Sequence, residues 1–588
     1  MKSFLKIFLA VLVALIVFGI GIFFAISMIV GSATSPSKPE IGSNGVLVLD
    51  LSQAYAEQAK ENPVNNFLGD HSKDVPGLYD LVRMIRYAKS DSSIKGIYIK
   101  AGDNENGYAS SEELRQALVD FKKSKKFIVA YGSIIPESAY YVATTADKIY
   151  CNPAGGVEWD GFSVDEMFLK GLLDKLEIKP EIFYAGKFKS ATEPLRATQM
   201  TDANRLQTTV WLNDIYNNLL MRTADARHSD TATLHNLANT AAVQTAKDAL
   251  KYNLVDGIKY DDEVKAELLK RLNKDAKDDV NFVSAGKYAA AASFQKNGDG
   301  GKVDIIYAEG DIVDGKGGSG QIGSDDYVKL ISKARLDDDV KAIVFRVNSP
   351  GGSSMASEAI WREISLAKKQ KPVVVSMGNY AASGGYYISC DADSVFADET
   401  TITGSIGVFS VLANLKDFFN NKLGITFDGV KTAPYADLGS ISRPLTDQER
   451  NLLQASVDTI YNLFTSRVAN GRKRDTTYID SIAQGRVWIG KRAISVGLVD
   501  RTGSLQDAVD CAARMAKLND YRTREYPEQK SWLEELTDQS SSFNTESQQK
   551  AMVKEIGQQQ YDLMLKAKSL SDIINIPQTR LPSAYNFH

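Results

Sequence analysis

The chain has 588 residues, 44% of them hydrophobic and 24% charged, an ordinary globular balance in a chain too long for one hydrophobic core. At least two domains are expected, and a net charge of −4 gives no case for nucleic-acid binding. The three cysteines, Cys151, Cys390 and Cys511, stand far apart without metal-ligand spacing, which argues against a disulfide framework or a zinc site.

The first predicted element is residues 7–30, I-F-L-A-V-L-V-A-L-I-V-F-G-I-G-I-F-F-A-I-S-M-I-V, a run without a charge. At 1.5 Å per residue it is long enough to cross a hydrocarbon layer of about 30 Å. No good A-x-A cleavage site follows, so the run reads as an uncleaved signal anchor. Lys2 and Lys6 precede it and the polar stretch S-A-T-S-P-S follows. The positive-inside rule then keeps the N-terminus in the cytoplasm and sends the bulk of the chain across the membrane. Residues 1–44 are read as anchor and linker.

From residue 45 onward, short apolar runs alternate with helical patterns. G-V-L-V-L-D-L (45–51), I-K-G-I-Y-I-K (94–100), F-I-V-A-Y (127–131), V-D-I-I-Y-A (303–308), V-K-A-I-V-F-R (340–346) and P-V-V-V-S-M (372–377) have the look of buried strands. Residues 110–123 and 356–369 carry helical periodicity. Such alternation predicts parallel βαβ units in an α/β fold.

The chain also repeats itself. S-A-Y-Y-V-A-T-T-A-D-K-I-Y around Tyr140 matches G-G-Y-Y-I-S-C-D-A-D-S-V-F around Tyr386, and the spacing of 246 residues holds again for Asp147 and Asp393 and for Gly161 and Gly407. Residues 249–257 match 493–501 at a spacing of 244. So long a period marks a duplicated domain rather than a solenoid. The expected division is a first repeat over 45–275, a linker over 276–302, a second repeat over 303–525 and a polar, partly helical tail over 526–588.

Two motifs in the second repeat carry chemistry. In V-F-R-V-N-S-P-G-G-S-S (344–354) a strand ends in paired glycines before a helix. That layout can turn backbone N–H groups toward a ligand oxygen, although Pro-Gly-Gly alone is more often a plain turn. In N-Y-A-A-S-G-G-Y-Y-I-S (379–389), Ser383 sits between small residues at the predicted start of a helix. A helix cap is the common duty of such a serine. Here Gly384 and Gly385 leave room for a substrate carbonyl, and the Gly384 N–H is placed to pair with Gly352 as oxyanion donors.

A nucleophilic serine needs a base. None of the four histidines, His71, His228, His235 and His588, lies in a comparable strand-end motif. That leaves lysine, which must be neutral to act. Its pKa must fall by about 3 units, a preference of roughly 4 kcal/mol that an apolar pocket can supply. F-Y-A-G-K-F-K-S-A-T-E-P (183–194) offers Lys187 and Lys189, which would share a face if the stretch were extended.

The tandem repeat behind an apolar anchor, S-P-G-G-S, Y-A-A-S-G-G-Y-Y-I-S, T-I-T-G-S-I-G (401–407) and F-K-S-A-T-E-P together resemble the long, duplicated form of the signal peptide peptidase family, peptidase family S49. The resemblance spans about residues 45–520. It implies ClpP/crotonase-like repeated ββα units and a serine endopeptidase with a Ser/Lys dyad that needs no cofactor or metal. Matched residue by residue, it implies Ser383 as nucleophile, Lys189 as base, Ser405 as the residue orienting the lysine, and Gly352 and Gly384 as oxyanion donors. Lys187 falls outside the pattern and is expected to face solvent. The implied substrates are signal peptides and other short extended peptides. The implied assembly is a homotetramer held to inner-membrane lipid by the N-terminal helix, with its catalytic part on the periplasmic side. The competing reading is a crotonase-like acyl-CoA hydrolase or isomerase, which shares the glycine arrangement but does not need the Ser/Lys pair. A non-catalytic membrane scaffold would be expected to lack Ser383 or Lys189.

Under the 246-residue offset, Ser383 falls on Glu137, and Lys189 falls on Tyr435 or, one residue further, Ala436. Each copy therefore lacks one half of the dyad, and the site is expected where the two copies meet.

Overall fold

The computed structural model describes residues 18, 39–59, 74–294, 298, 300–318, 320–528 and 577–581. The apolar run 7–30 lies outside these residues apart from Phe18, as does the expected tail helix over 547–574. Among the described residues no helix is long and apolar enough to cross a membrane.

Strands β1 (Gly45–Asp50), β2 (Ile94–Lys100), β3 (Phe127–Ile135) and β4 (Lys148–Val157) are Val-, Ile- and Tyr-rich runs, largely buried. Helices cross over between them, as buried parallel strands require. Strand β5 (Lys179–Ala185) then leaves this unit, and the short strands β6 (Gly257–Ile258) and β7 (Phe282–Ser284) return to it. The first sheet runs β6-β4-β3-β2-β1-β7 and is parallel throughout.

The second unit repeats that order. It contains β8 (Gly301–Glu309), β9 (Asp311–Val313), β10 (Gln321–Gly323), β11 (Val340–Ser349), β12 (Gly351–Ser353), β13 (Val373–Ala382), β14 (Ser394–Ala397), β15 (Ile402–Gly404), β16 (Val408–Asn414), β17 (Val487–Ile489), β18 (Arg501–Thr502) and β19 (Tyr521–Tyr526). The path β18-β14-β13-β11-β8-β19 matches β6-β4-β3-β2-β1-β7 strand for strand. Side chains at the repeat spacing make the same bonds. Tyr140 Oη donates to the Leu254 carbonyl at 2.6 Å, and Tyr386 Oη to the Leu498 carbonyl at 2.8 Å. Asp147 accepts from the Ile128 N–H at 2.8 Å, and Asp393 from the Val373 N–H at 2.9 Å.

Two expectations are corrected. The stretch expected as a linker, 276–302, is partly folded: β7 pairs with β1 and the helix Ala285–Ala291 packs beneath the first sheet. The tail beyond 525 contributes strands too. Tyr526 belongs to β19, and the strand β20 (Gln578–Arg580) lies inside a third sheet ordered β10-β9-β12-β20-β16-β5. This third sheet is the seam between the repeats. Strand β5 of the first runs antiparallel along β16 of the second, from Ala185 opposite Val408 to Lys179 opposite Asn414.

Candidate active site

Ser383 terminates β13 and leads the helix Gly384–Ser389. Its backbone, at φ 56° and ψ −114°, is strained for a residue with a Cβ and costs on the order of 1–3 kcal/mol. Two backbone bonds hold it: Ser383 N–H donates to the Gly404 carbonyl at 2.7 Å, and Tyr387 N–H to the Ser383 carbonyl at 2.8 Å. A serine that only capped the helix would have extended backbone and an accepting hydroxyl. Ser383 makes no such cap. The equivalent turn in the first repeat is relaxed, with Pro136 at φ −68° before Glu137.

Lys189 arrives from the first repeat, four residues past β5. Gly186 at φ 113° turns the chain, so Lys187 and Lys189 do not share an extended face: Lys187 is exposed and Lys189 is 2% exposed. Elements of the second repeat fix the loop. Phe188 N–H donates to the Gln484 carbonyl at 2.7 Å, and Gly485 packs so close that a Cβ there would lie 2.6 Å from Lys189 N. Gln207, on the first repeat's long helix Asp202–Arg227, bridges both sides. Its amide donates to the Phe188 carbonyl at 3.0 Å and its oxygen accepts from Val487 N–H at 3.1 Å.

Ser405 follows β15, held at φ 49° with its N–H donating to the Arg486 carbonyl at 2.7 Å. Lys189 Nζ lies 2.7 Å from Ser383 Oγ, 3.1 Å from Ser405 Oγ and 3.1 Å from the Ser405 carbonyl oxygen. The structure thus brings the three predicted polar residues together. A neutral amine has two N–H groups and one lone pair, so the two Ser405 oxygens take its hydrogens and leave the lone pair for the Ser383 hydroxyl. Among the described residues no carboxylate lies within ion-pair distance of Lys189, and burial pushes its pKa well below the usual lysine range.

The predicted glycines converge beside Ser383. A Cβ on Gly351, at φ 108°, would lie 2.8 Å from the Gly384 N atom, and one on Gly352 only 2.0 Å from the Ile312 carbonyl oxygen. Only glycine allows β12 to pass this close to β9 and to the start of the Ser383 helix.

Sequence reasoning missed several residues that build the site. Arg346, fully buried in β11, pairs with Glu57 at 2.8 Å and Glu113 at 2.7 Å, both from the first repeat. No local pattern marks such a triad. An arginine inside the apolar run V-F-R-V-N was the available signal. Gln207 and Gly485 leave no motif.

The model of peptidase family S49 matches residues 120–277 and 365–519. Protease 4 of Salmonella typhi is 35% identical over 89% of this chain and 86% of its own length. Protease 4 of Haemophilus influenzae is 32% identical over 83% of this chain and 82% of its own. The chloroplastic serine protease SPPA of Arabidopsis thaliana is 33% identical over 73% and 64%. Among solved structures, ClpP1 from Listeria monocytogenes aligns with 35% of this chain and 94% of its own at 14% identity, with a TM-score of 0.24. With both repeats matched by one family model and relatives of similar length named as proteases, this chain belongs to peptidase family S49 and is a serine protease.

Proposed function

We propose that the protease works through a Ser383/Lys189 dyad assembled across the two repeats. The observation that carries this reading is the 2.7 Å approach of Lys189 Nζ to Ser383 Oγ, in a buried setting without a carboxylate partner among the described residues. Lys189 takes the Ser383 proton as Oγ attacks a peptide carbonyl, and the developing oxyanion rests on the Gly352 and Gly384 N–H groups. The Lys189 ammonium then protonates the leaving amine, and water hydrolyses the acyl-enzyme by the reverse route. Ser405 keeps the amine aimed. An acyl-CoA hydrolase or isomerase would share the glycines but has no use for a desolvated amine on a serine.

The substrates proposed are extended peptides, cleaved signal peptides among them, and the fold is taken as the ClpP/crotonase type. The apolar run 7–30 is proposed to anchor the chain in a bacterial inner membrane with the catalytic part on the periplasmic side. The chain is proposed to assemble as a homotetramer; the exposed apolar side chains Leu423, Ile425, Phe427 and Val430 offer a surface for a partner copy.

Activity-based labelling with a fluorophosphonate tests the dyad. The full chain should label at Ser383. Ser383→Ala should not label, and Lys189→Met should label and turn over peptide at least about a hundredfold more slowly. Full activity in Lys189→Met would remove lysine from the mechanism.

A further inference from the structure

Lys189 can serve Ser383 only if its backbone, which comes from the first repeat, is held against the second. The peptide plane between Phe188 and Lys189 helps set the direction of the lysine side chain, and both ends of that plane are bonded. Lys189 N–H donates to the Gly186 carbonyl at 3.1 Å, and the Phe188 carbonyl accepts from the Gln207 amide at 3.0 Å. The same amide nitrogen reaches Ser190 Oγ at 3.3 Å, so it grips the chain on both sides of the lysine. The Gln207 oxygen accepts from Val487 N–H at 3.1 Å. Val487 belongs to the edge strand β17 and lies opposite Gly404 of β15. The carbonyl of its neighbour Arg486 accepts from Ser405 N–H at 2.7 Å. One carboxamide therefore spans from the two flanks of Lys189 to the strand that holds Ser405, whose oxygens receive the lysine amine.

Gln207 is itself fixed. It is buried on the helix Asp202–Arg227, and its two amide hydrogens are shared among Phe188, Ser190 and, at 3.2 Å, the side-chain oxygen of Asn204 one turn earlier. The start of that helix is tied to the segment after the lysine. Its N-cap residue Thr201 donates from N–H at 3.1 Å and from its hydroxyl at 2.6 Å to the buried carboxylate of Glu193. Burial makes each of these bonds costly to leave unmade. A carboxamide supplies donors and an acceptor without carrying charge. Methionine would fill the space but strand the Phe188 carbonyl and the Val487 N–H. Glutamate would keep the acceptor, lose the donors and place a negative charge behind the amine.

We infer that Gln207 is a positioning residue of the protease: its carboxamide fixes where the Lys189 amine stands relative to Ser383 and Ser405 by clamping the two repeats together beside it. This rests on the Ser383/Lys189 reading and adds the residue that sets the geometry of that pair. A catalytic group displaced by about 1 Å loses about a hundredfold in rate. Loosening the loop also lets water reach the amine, which weakens the desolvation that holds its pKa down.

The test uses the full chain and a fluorogenic peptide, with kcat and KM measured as functions of pH and a urea midpoint for every variant. Gln207→Met should lower kcat about a hundredfold with KM within about twofold of the parent. The rising limb of its kcat/KM profile, which marks loss of the Lys189 proton, should move toward higher pH by about one pH unit. Gln207→Glu should lower kcat as far and move the limb further, because a carboxylate favours the ammonium form. It keeps the size and the bond to Val487, and so serves if Gln207→Met does not fold. Leu206→Ala, next in sequence and 55% exposed, should keep the parent kcat and limb. Parent-like kcat and limb in a folded Gln207→Met or Gln207→Glu chain overturn the inference. So does a lower urea midpoint with kcat per folded molecule and limb unchanged, the result of a purely structural role. Lys189→Met separates the clamp from the dyad. If that chain turns over peptide at the full rate, the Ser/Lys reading falls and takes the clamp with it. If it is slow while Gln207→Met is parent-like, the dyad stands and only the clamp falls.

Discussion

Position 137 and position 383 show how one backbone turn serves two ends. Ser383 keeps a strained φ of 56° and faces an amine, whereas Glu137 sits on relaxed backbone and accepts from the Gly161 N–H at 3.2 Å. Burial pushes the Glu137 carboxyl up to about 8, with Asp160 and Glu158 adding to the effect. Its folded pKa lies above its unfolded one, so the stability it contributes is complete below about pH 4.5 and is lost as pH climbs through about 8. Glu137→Gln should therefore leave the urea midpoint nearly unchanged at pH 4.5. At pH 8.5 it should raise stability by an amount on the order of 4 kcal/mol. At this scale the sequence was informative for Ser383, whose small neighbours and strand-end position are local features. The residue pattern alone left open whether Lys187 or Lys189 is buried, and only the family resemblance pointed to Lys189, because burial there depends on a turn at Gly186 and on packing from residues nearly 300 positions away.

Among the elements, the loop carrying Lys189 shows how an amine is aimed by segments packed behind it. Gly485 has φ 74° and its missing Cβ makes room for the Lys189 backbone. Gly485→Ala should cost about 1–3 kcal/mol in strain. It should also lower kcat/KM about a hundredfold by shifting Nζ, while fluorophosphonate still reaches Ser383. Retained peptide turnover in a folded Gly485→Ala chain would show that the loop tolerates displacement. The βαβ elements themselves were readable from apolar runs of the right length: the helices expected over 110–123 and 356–369 occur as Tyr108–Lys122 and Ser354–Lys368. The three-residue strands β12 and β20 were not, since so short a segment has no period to detect.

Across the whole molecule, the two repeats are locked by buried polar contacts as well as by β5 on β16. Arg346 balances Glu57 and Glu113 in a place where burial works against the charge on both carboxylates. Arg346→Met should destabilise the chain by about 3–5 kcal/mol, read as a lower urea midpoint, because two carboxylates are left buried without a cation. Adding Glu57→Gln and Glu113→Gln should recover part of the loss. If Arg346→Met alone left the midpoint unchanged, the triad would have no part in joining the repeats.

By itself the sequence determined the duplication, the α/β class and the identity of the chemical groups. A 246-residue offset, strand-length apolar runs and motif residues are all written along the chain. Only the tertiary structure decided that Lys189 reaches Ser383, that the two repeats share one sheet, and that Gln578–Arg580 pair with Gly351–Ser353. These facts depend on contacts between segments far apart in sequence. Such contacts are set by which backbone edges and apolar faces can be buried together, and no local pattern encodes that choice.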